Sequence, residues 1–168
     1  MGTECMVIHT EGEITIRTIS IMDEIAWRKM WSDYNAFYGV NISESTTLST
    51  WTRILDKSST IGALVAEDKQ GVIGFANFIL HEYTWSPHKA CLMDDLFVNK
   101  ESRGKGVGGL LIKTLIQIAK ENNWTRVYWM TKYDNNSARF LYDKFSEVDG
   151  FVRYTVALDG TYSTSGNN

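Results

Sequence analysis

Proline is almost missing: Pro87 is the only one in 168 residues. Proline-rich linkers and polyproline segments are thereby excluded. Cysteine is nearly as scarce. Cys5 and Cys91 lie far apart, with Cys91 inside an apolar run. They make no disulfide framework, so a reducing, cytoplasmic setting is expected. The three histidines, His9, His81 and His88, form neither an H-x-x-x-H nor a C-x-x-C pairing, so no metal site is expected. No apolar run approaches the length of a membrane span, and no membrane partner is expected. Positive charge is short too. The 17 Lys and Arg stand against 20 Asp and Glu, a formal net charge of −3. A nucleic-acid binder normally carries a basic face, so nucleic acid is not an expected partner.

Aromatic residues, by contrast, are plentiful: six Trp, eight Tyr and seven Phe. Some belong in a core, and the excess suits an aromatic-lined cleft. The length fits a single domain over 1–168, with loose polar tails at 1–12 and 159–168. Glu13 to Ile19 reads as a strand, and Ser20 with Asp23 as a helix capping box. The helix that follows runs to about Tyr38, with Gly39 as its stop. A shorter helix is expected over Leu48 to Lys57. Ile61 to Glu67 and Val72 to Leu80 flank Asp68-Lys-Gln-Gly71 and read as a β-hairpin. Lys89 to Val98 is the next strand. The helix from about Gly106 to Asn122 places Val107, Leu110, Leu111, Leu115, Ile118 and Ala119 on one face. Thr125 to Thr131 reads as a strand, a last helix runs from Asn135 or Ser137 to about Phe145, and Phe151 to Leu158 reads as a closing strand. The order β-α-α-β-β-β-α-β-α-β implies an α/β fold with a mixed sheet. Its parallel pair is joined by a right-handed crossover, and the hairpin before it is antiparallel.

The richest segment is Arg103-Gly-Lys-Gly-Val-Gly108, between an apolar strand and a helix. Glycines clear side chains away, so that backbone N–H groups and a helix N-terminus converge on one anion. Arg103 and Lys105 add charges that suit a pyrophosphate. A P-loop is ruled out, because Lys105 lies between glycines and no Ser or Thr follows it. Gly104, Gly106 and Gly109 also satisfy G-x-G-x-x-G, which keeps a nicotinamide dinucleotide in view. Against it, the expected ribose-binding acid comes late, at Asp134, and the chain is short for two mononucleotide-binding halves.

Arg103, Gly106 and Gly108 also spell R-x-x-G-x-G, after a strand ending Asp94-Asp-Leu-Phe-Val98 and before a helix with Asn135, Ala138 and Tyr142. This combination resembles the GNAT superfamily of acetyl-CoA-dependent N-acetyltransferases, over roughly Glu13 to Leu158. Trp31-Ser-Asp-Tyr-Asn-Ala-Phe-Tyr38, His81-Glu-Tyr-Thr-Trp85 and Asn136-Ser-Ala-Arg-Phe-Leu-Tyr-Asp-Lys144 are similar to one branch of it. That branch includes yeast acetyltransferases of histones, polyamines or D-amino acids, and diamine acetyltransferases resemble it around the central strand and turn. One departure is Phe145-Ser-Glu-Val-Asp-Gly-Phe151, where many members run Tyr-x-x-x-Gly-Phe.

The resemblance implies a GNAT fold: a mixed, mostly antiparallel sheet with a central parallel strand pair, flanked by helices. It implies acetyl-CoA as co-substrate and direct attack of a primary amine on the thioester. The acceptor expected is a small molecule, a polyamine or amino acid; the alternatives are a protein or histone lysine, or a non-catalytic acyl-CoA-binding module. A homodimer through C-terminal strands is also implied. Leu96, Phe97 and Val98 would offer backbone groups to pantetheine, where the strands around Cys91–Val98 and Thr125–Thr131 splay apart. Arg103, Gly104, Lys105, Gly106, Val107 and Gly108 would hold the pyrophosphate, with Asn135, Ser137 and Lys144 further along the cofactor. Asp94 takes the place of an acid proposed as general base, and the Leu96 N–H could stabilise the oxyanion. Tyr142 would protonate the leaving thiolate. Asp94 as a strand-end carboxylate and Tyr142 as a core residue remain the plain alternatives. Tyr34, Tyr38, His81, Trp85 and Trp129, with Glu82 and Asp94 as anions, would line the acceptor pocket, since aromatic faces and carboxylates suit an ammonium group.

Overall fold

The structure is a computed structural model that describes residues 6–158, and the chain divides into two units, Met1–Lys132 and Tyr133–Asn168. In the first unit, six strands form one sheet in sequence order. They are β1 (Val7–Glu11), β2 (Ile14–Thr18), β3 (Ile61–Asp68), β4 (Gly71–His81), β5 (Ala90–Val98) and β6 (Arg126–Trp129). Neighbours from β1 to β5 pair antiparallel, and β5 pairs parallel with β6. This is the mixed, mostly antiparallel sheet expected from the sequence, parallel pair included.

The expectation of a loose N-terminal tail is corrected over Val7–Glu11. Gly12, at φ +60°, opens a two-residue turn that folds this segment onto β2. No residue of β1 is buried, so it has no apolar alternation to read. Residues 1–5 and 159–168 of the expected tails lie outside the described residues. The β3–β4 hairpin forms where expected, closing at Asp68 and Gly71.

Helix α1 (Glu24–Tyr38) follows a 3-10 turn at Ile21–Asp23. The capping box is there: the Ser20 backbone N–H donates to Asp23 at 2.7 Å. Gly39 ends the helix in the left-handed region at φ +69°. Helix α2 (Glu44–Leu55) starts four residues before the expected Leu48. Its first turn is polar, and the Ser43 hydroxyl accepts from the Thr46 N–H at 3.1 Å, a cap that apolar periodicity does not register.

The core has two layers. On one face of the sheet, Trp27, Met30, Trp51 and Ile54 from α1 and α2 pack with Ala63, Val65 and Phe75. On the other lies α3 (Val107–Glu121), which buries Val107, Leu110, Leu111, Ile112, Leu115 and Ala119. Along α1 the rings of Trp27, Trp31, Tyr34 and Tyr38 touch in succession, with centroids 5.4, 5.7 and 5.0 Å apart. Spacings of three and four residues put them on one stripe.

In the second unit, Asn135 caps α4 (Asn136–Tyr142), accepting from the Ala138 N–H at 3.2 Å. The expected closing strand is corrected: 151–158 forms no strand. Val152, Tyr154, Val156 and Leu158 alternate as strand residues do, yet each is exposed, between 73% and 93%. Alternation makes a strand only where a sheet edge receives it.

Candidate active site

β4 and β5 fix the geometry through their register. Asn77 stands opposite Asp95, but the next rung pairs Phe78 with Met93. Asp94 is therefore the inserted residue of a β-bulge, a feature that re-aims a strand and is common beside active sites. On the other side of β5, the parallel ladder with β6 runs from Ala90–Arg126 to Met93–Trp129 and ends at the bulge. β5 continues to Val98 in register with β4, so Leu96, Phe97 and Val98 lie beyond the end of that ladder.

Asp95 points to the α1 side of the sheet. The Asn77 side-chain amide donates to its carboxylate at 2.9 Å, and the indole N–H of the buried Trp27 donates to Asn77 Oδ1 at 3.4 Å. Tyr34, partly buried on α1, is hydrogen-bonded to the same carboxylate. Burial pushes the Asp95 carboxyl up to about 6, with nearby Asp94 adding to the rise and the hydrogen bonds from Asn77 and Tyr34 opposing it. Burial, and then the Asp95 charge, hold the Tyr34 phenol well above its ordinary value, so it stays protonated as donor. Tyr34 also stands edge-on to Phe97, with centroids 6.4 Å apart.

After β5 the chain makes a 3-10 turn, Lys100–Ser102, and then the glycine-rich segment. Gly104 and Gly106 lie at φ +76° and +84°, with open space where a Cβ would stand. Gly106 caps α3, whose first turn carries the N–H groups of Val107, Gly108 and Gly109. Val107 has its side chain buried, with Cγ1 3.4 Å from where a Gly74 Cβ would be, so what it adds to that first turn is its backbone N–H. Arg103 Nε donates to the Val98 carbonyl at 3.0 Å, and its guanidinium lies 5.4 Å from the Phe97 ring centroid. That leaves its Nη groups without a hydrogen bond or ion pair among the described residues. Lys105 and Gly106 also edge a cavity of about 400 Å³ beside the β1–β2 turn, together with Glu11, Glu13 and Asp68. Two bent glycines, a helix N-terminus and two cations make a fitting cradle for a pyrophosphate.

The chain belongs to the GNAT acetyltransferase family. The family model described as "Acetyltransferase (GNAT) family" matches residues 26–146. The chain is 34% identical over 143 residues to the D-amino-acid N-acetyltransferase HPA3 of Saccharomyces cerevisiae, covering 84% of this chain and 89% of that protein. Among solved structures, the ribosomal-protein-alanine N-acetyltransferase of Brucella melitensis biovar Abortus 2308 superposes with a TM-score of 0.72 at 18% identity, covering 86% of this chain and 99% of that one. AAC(6')-Iy, solved with the bisubstrate analog CoA-S-monomethyl-acetylneamine, gives 0.74 at 17% identity over 88% of this chain and 100% of that one. This GNAT protein is an acetyl-CoA-dependent N-acetyltransferase.

The residues named from the sequence fall into separate groups. Tyr34 and Tyr38 meet at the end of α1, but Lys132 lies 5.5 Å over the Tyr38 ring and already gives that face a cation. His81 sits four rungs beyond Asn77 along β4, with Nε2 3.0 Å from the Tyr128 hydroxyl. Trp85 is 80% exposed, with its ring 5.9 Å from Tyr83. Trp129 shares the Met93 rung, one residue out of phase with Tyr128, and so takes the opposite face of the strand. Asp94 is exposed at the bulge, and so is Glu82 after β4. In the second unit, Asn135, Ser137, Tyr142 and Lys144 lie on or beside α4, and the Lys144 ammonium is 4.5 Å from the Phe140 ring centroid. Sequence reasoning missed Asn77 and Tyr128. Asn77 did leave a signal: one amide inside the apolar run Val72–Leu80, buried to 3% and therefore needing partners. Among the described residues, no group of three or more His, Cys, Asp or Glu could hold a metal ion.

Proposed function

We propose that this enzyme acetylates a small primary amine, with amino acids as the leading acceptor class, and that it works as a single catalytic domain. The observation that carries the reading is the Asp94 bulge where the β5–β6 ladder ends, one strand-length before the Gly104–Gly106 turn. The name of the yeast relative, a D-amino-acid N-acetyltransferase, supports the acceptor class. Acetyl-CoA supplies an activated acyl carbon. The amine nitrogen forms a bond to that carbon, the carbon–sulfur bond breaks, and the thiolate takes up a proton.

A lysine-like amine has a pKa near 10.4 and arrives protonated, so the site must accept a proton first. Asp95 suits this task better than exposed Asp94, because its carboxyl stands near 6 and is held by Asn77 and Tyr34. Asp94 keeps the role of drawing the ammonium towards the bulge. Leu96, Phe97 and Val98 would offer backbone groups to the pantetheine arm. Arg103, Gly104, Lys105, Gly106, Val107 and Gly108 would hold the pyrophosphate. Tyr142 would return a proton to sulfur, and Asn135, Ser137 and Lys144 would contact the cofactor; these four roles rest on the family resemblance. A homodimer is also proposed, since exposed, alternating Val152, Tyr154, Val156 and Leu158 are suited to pairing with another strand.

The test is a panel of spermidine, lysine, D-amino acids and a histone-tail peptide with acetyl-CoA and thiol detection. Thiol release above hydrolysis with the small amines supports the reading. Release with the peptide alone would make this a protein acetyltransferase, and none with any acceptor would point to an acyl-CoA-binding module.

A further inference from the structure

Three rungs of the sheet project to the α1 side in succession. They are Asn77–Asp95, then Ile79–Leu92–Tyr128, then His81–Ala90–Arg126. Asp95 stands at one end of this row and Arg126 at the other, four residues of β4 or roughly 13 Å of strand apart. Arg126 is exposed, yet its guanidinium is held between two rings, 4.3 Å from the Tyr83 centroid and 4.7 Å from Tyr128. It makes no hydrogen bond and no ion pair among the described residues.

The rings are themselves anchored. His81 Nδ1 lies 2.7 Å from the Glu82 carbonyl, which can only accept, so Nδ1 carries the proton. The other ring nitrogen, Nε2, is hydrogen-bonded to the Tyr128 hydroxyl at 3.0 Å. On the far side, Trp85 backs Tyr83 at 5.9 Å. A guanidinium packed over aromatic rings gives them its face and keeps its in-plane N–H groups for a partner, and that fork matches the two oxygens of a carboxylate.

We propose that Arg126, clamped by Tyr83 and Tyr128, binds a carboxylate on the acceptor while the amine lies near Asp95. This rests on the small-amine reading and narrows its substrate class to carboxylate-bearing amines. The separation of the two ends favours a carboxylate several bonds from the attacked nitrogen, as in the side-chain amine of lysine.

The test compares kcat/KM for lysine with that for cadaverine, which is lysine without its carboxylate, in the wild type and in Arg126→Gln. The wild type should prefer lysine, and the variant should lose about ten-fold or more of that preference. Arg126→Lys, which keeps charge but not the stacked plane, should fall between them. An unchanged lysine-to-cadaverine ratio overturns the clamp. Calorimetric binding of N6-acetyl-lysine against N-acetylcadaverine reads the same preference without turnover. Thiol release that no small amine raises above hydrolysis would sink the small-amine reading, whereas equal binding of the two products in wild type and variant would sink the clamp alone.

Discussion

Asn77 and Asp95 face each other across one rung of the β4–β5 ladder, joined by a 2.9 Å hydrogen bond from amide to carboxylate. Behind Asn77, the Trp27 indole donates to the amide oxygen at 3.4 Å. The amide is therefore fixed with its NH₂ towards Asp95, and the carboxylate is held by the core rather than by solvent. With the Asp95 carboxyl near 6, an enzyme that uses it as proton acceptor should lose kcat/KM as pH falls through about 6. Asp95→Asn should abolish that acid limb and lower kcat/KM about 100-fold or more. Stability should move the other way. The folded value near 6 exceeds the unfolded value of about 3.9, so folding takes up a proton between them and stability falls as pH rises across that window. At pH 7 the Asn variant should match or exceed the wild type in Tm. A normal acid limb in Asp95→Asn would return the role to Asp94.

Tyr34 offers a second, graded test of the same carboxylate. Its hydrogen bond to Asp95 stabilises the ionised form. Tyr34→Phe keeps the ring against Phe75 and Phe97 but removes that donor. The acid limb should then shift upward, above about 6, rather than vanish. A pH–rate profile decides between the two outcomes, and a limb that stays in place would show that the phenol does not tune Asp95.

Much of this was legible in the sequence because it is local. Gly39 stopping α1, the Ser20–Asp23 capping box and the glycine turn each depend on a few neighbouring residues. What stayed hidden depends on register. Nothing in Asp94-Asp95 says which carboxyl faces the core; the bulge between Asn77 and Phe78 decides it. The grouping of His81 with Tyr128 likewise needs β5 to lie between β4 and β6. Segment 151–158 shows the opposite failure, since a clear strand pattern found no sheet edge among the described residues.

Arg17 should be the most destabilising single charge to remove. It is 8% exposed and grips the Asp23 carboxylate with Nη1 at 2.7 Å and Nη2 at 2.8 Å, while Nε donates to Glu67 at 2.8 Å. Burial works against the ionised Asp23, but the hydrogen bonds from Arg17 and Ser20 outweigh it and hold the carboxyl below its ordinary range. Arg17→Met leaves that carboxylate buried without its cation, at a cost of about 3–5 kcal/mol. Because the folded value is lowered, the stabilisation is present at neutral pH and lost as pH falls through the folded-state value. Urea unfolding should therefore show a large deficit for the variant at pH 7 that narrows towards pH 3. A deficit independent of pH would mean that Arg17 acts by packing alone.

Gly106 tests the cradle separately from the carboxylate. It lies at φ +84° with nothing within 4 Å of where a Cβ would stand, so an alanine there meets backbone strain and no steric clash. The left-handed penalty of about 1–2 kcal/mol should appear as lost stability or as rotation of the first turn of α3. Rotation would turn the Val107 and Gly108 N–H groups away from the anion, so the KM for acetyl-CoA should rise several-fold while the acceptor KM changes little. Gly39→Ala provides the comparison. It sits at φ +69°, also in open space, at the end of α1 and outside the turn. It should lose similar stability and leave the acetyl-CoA KM where it was. If both variants raise that KM equally, the effect is general loosening, and the glycine turn has no special claim on the pyrophosphate.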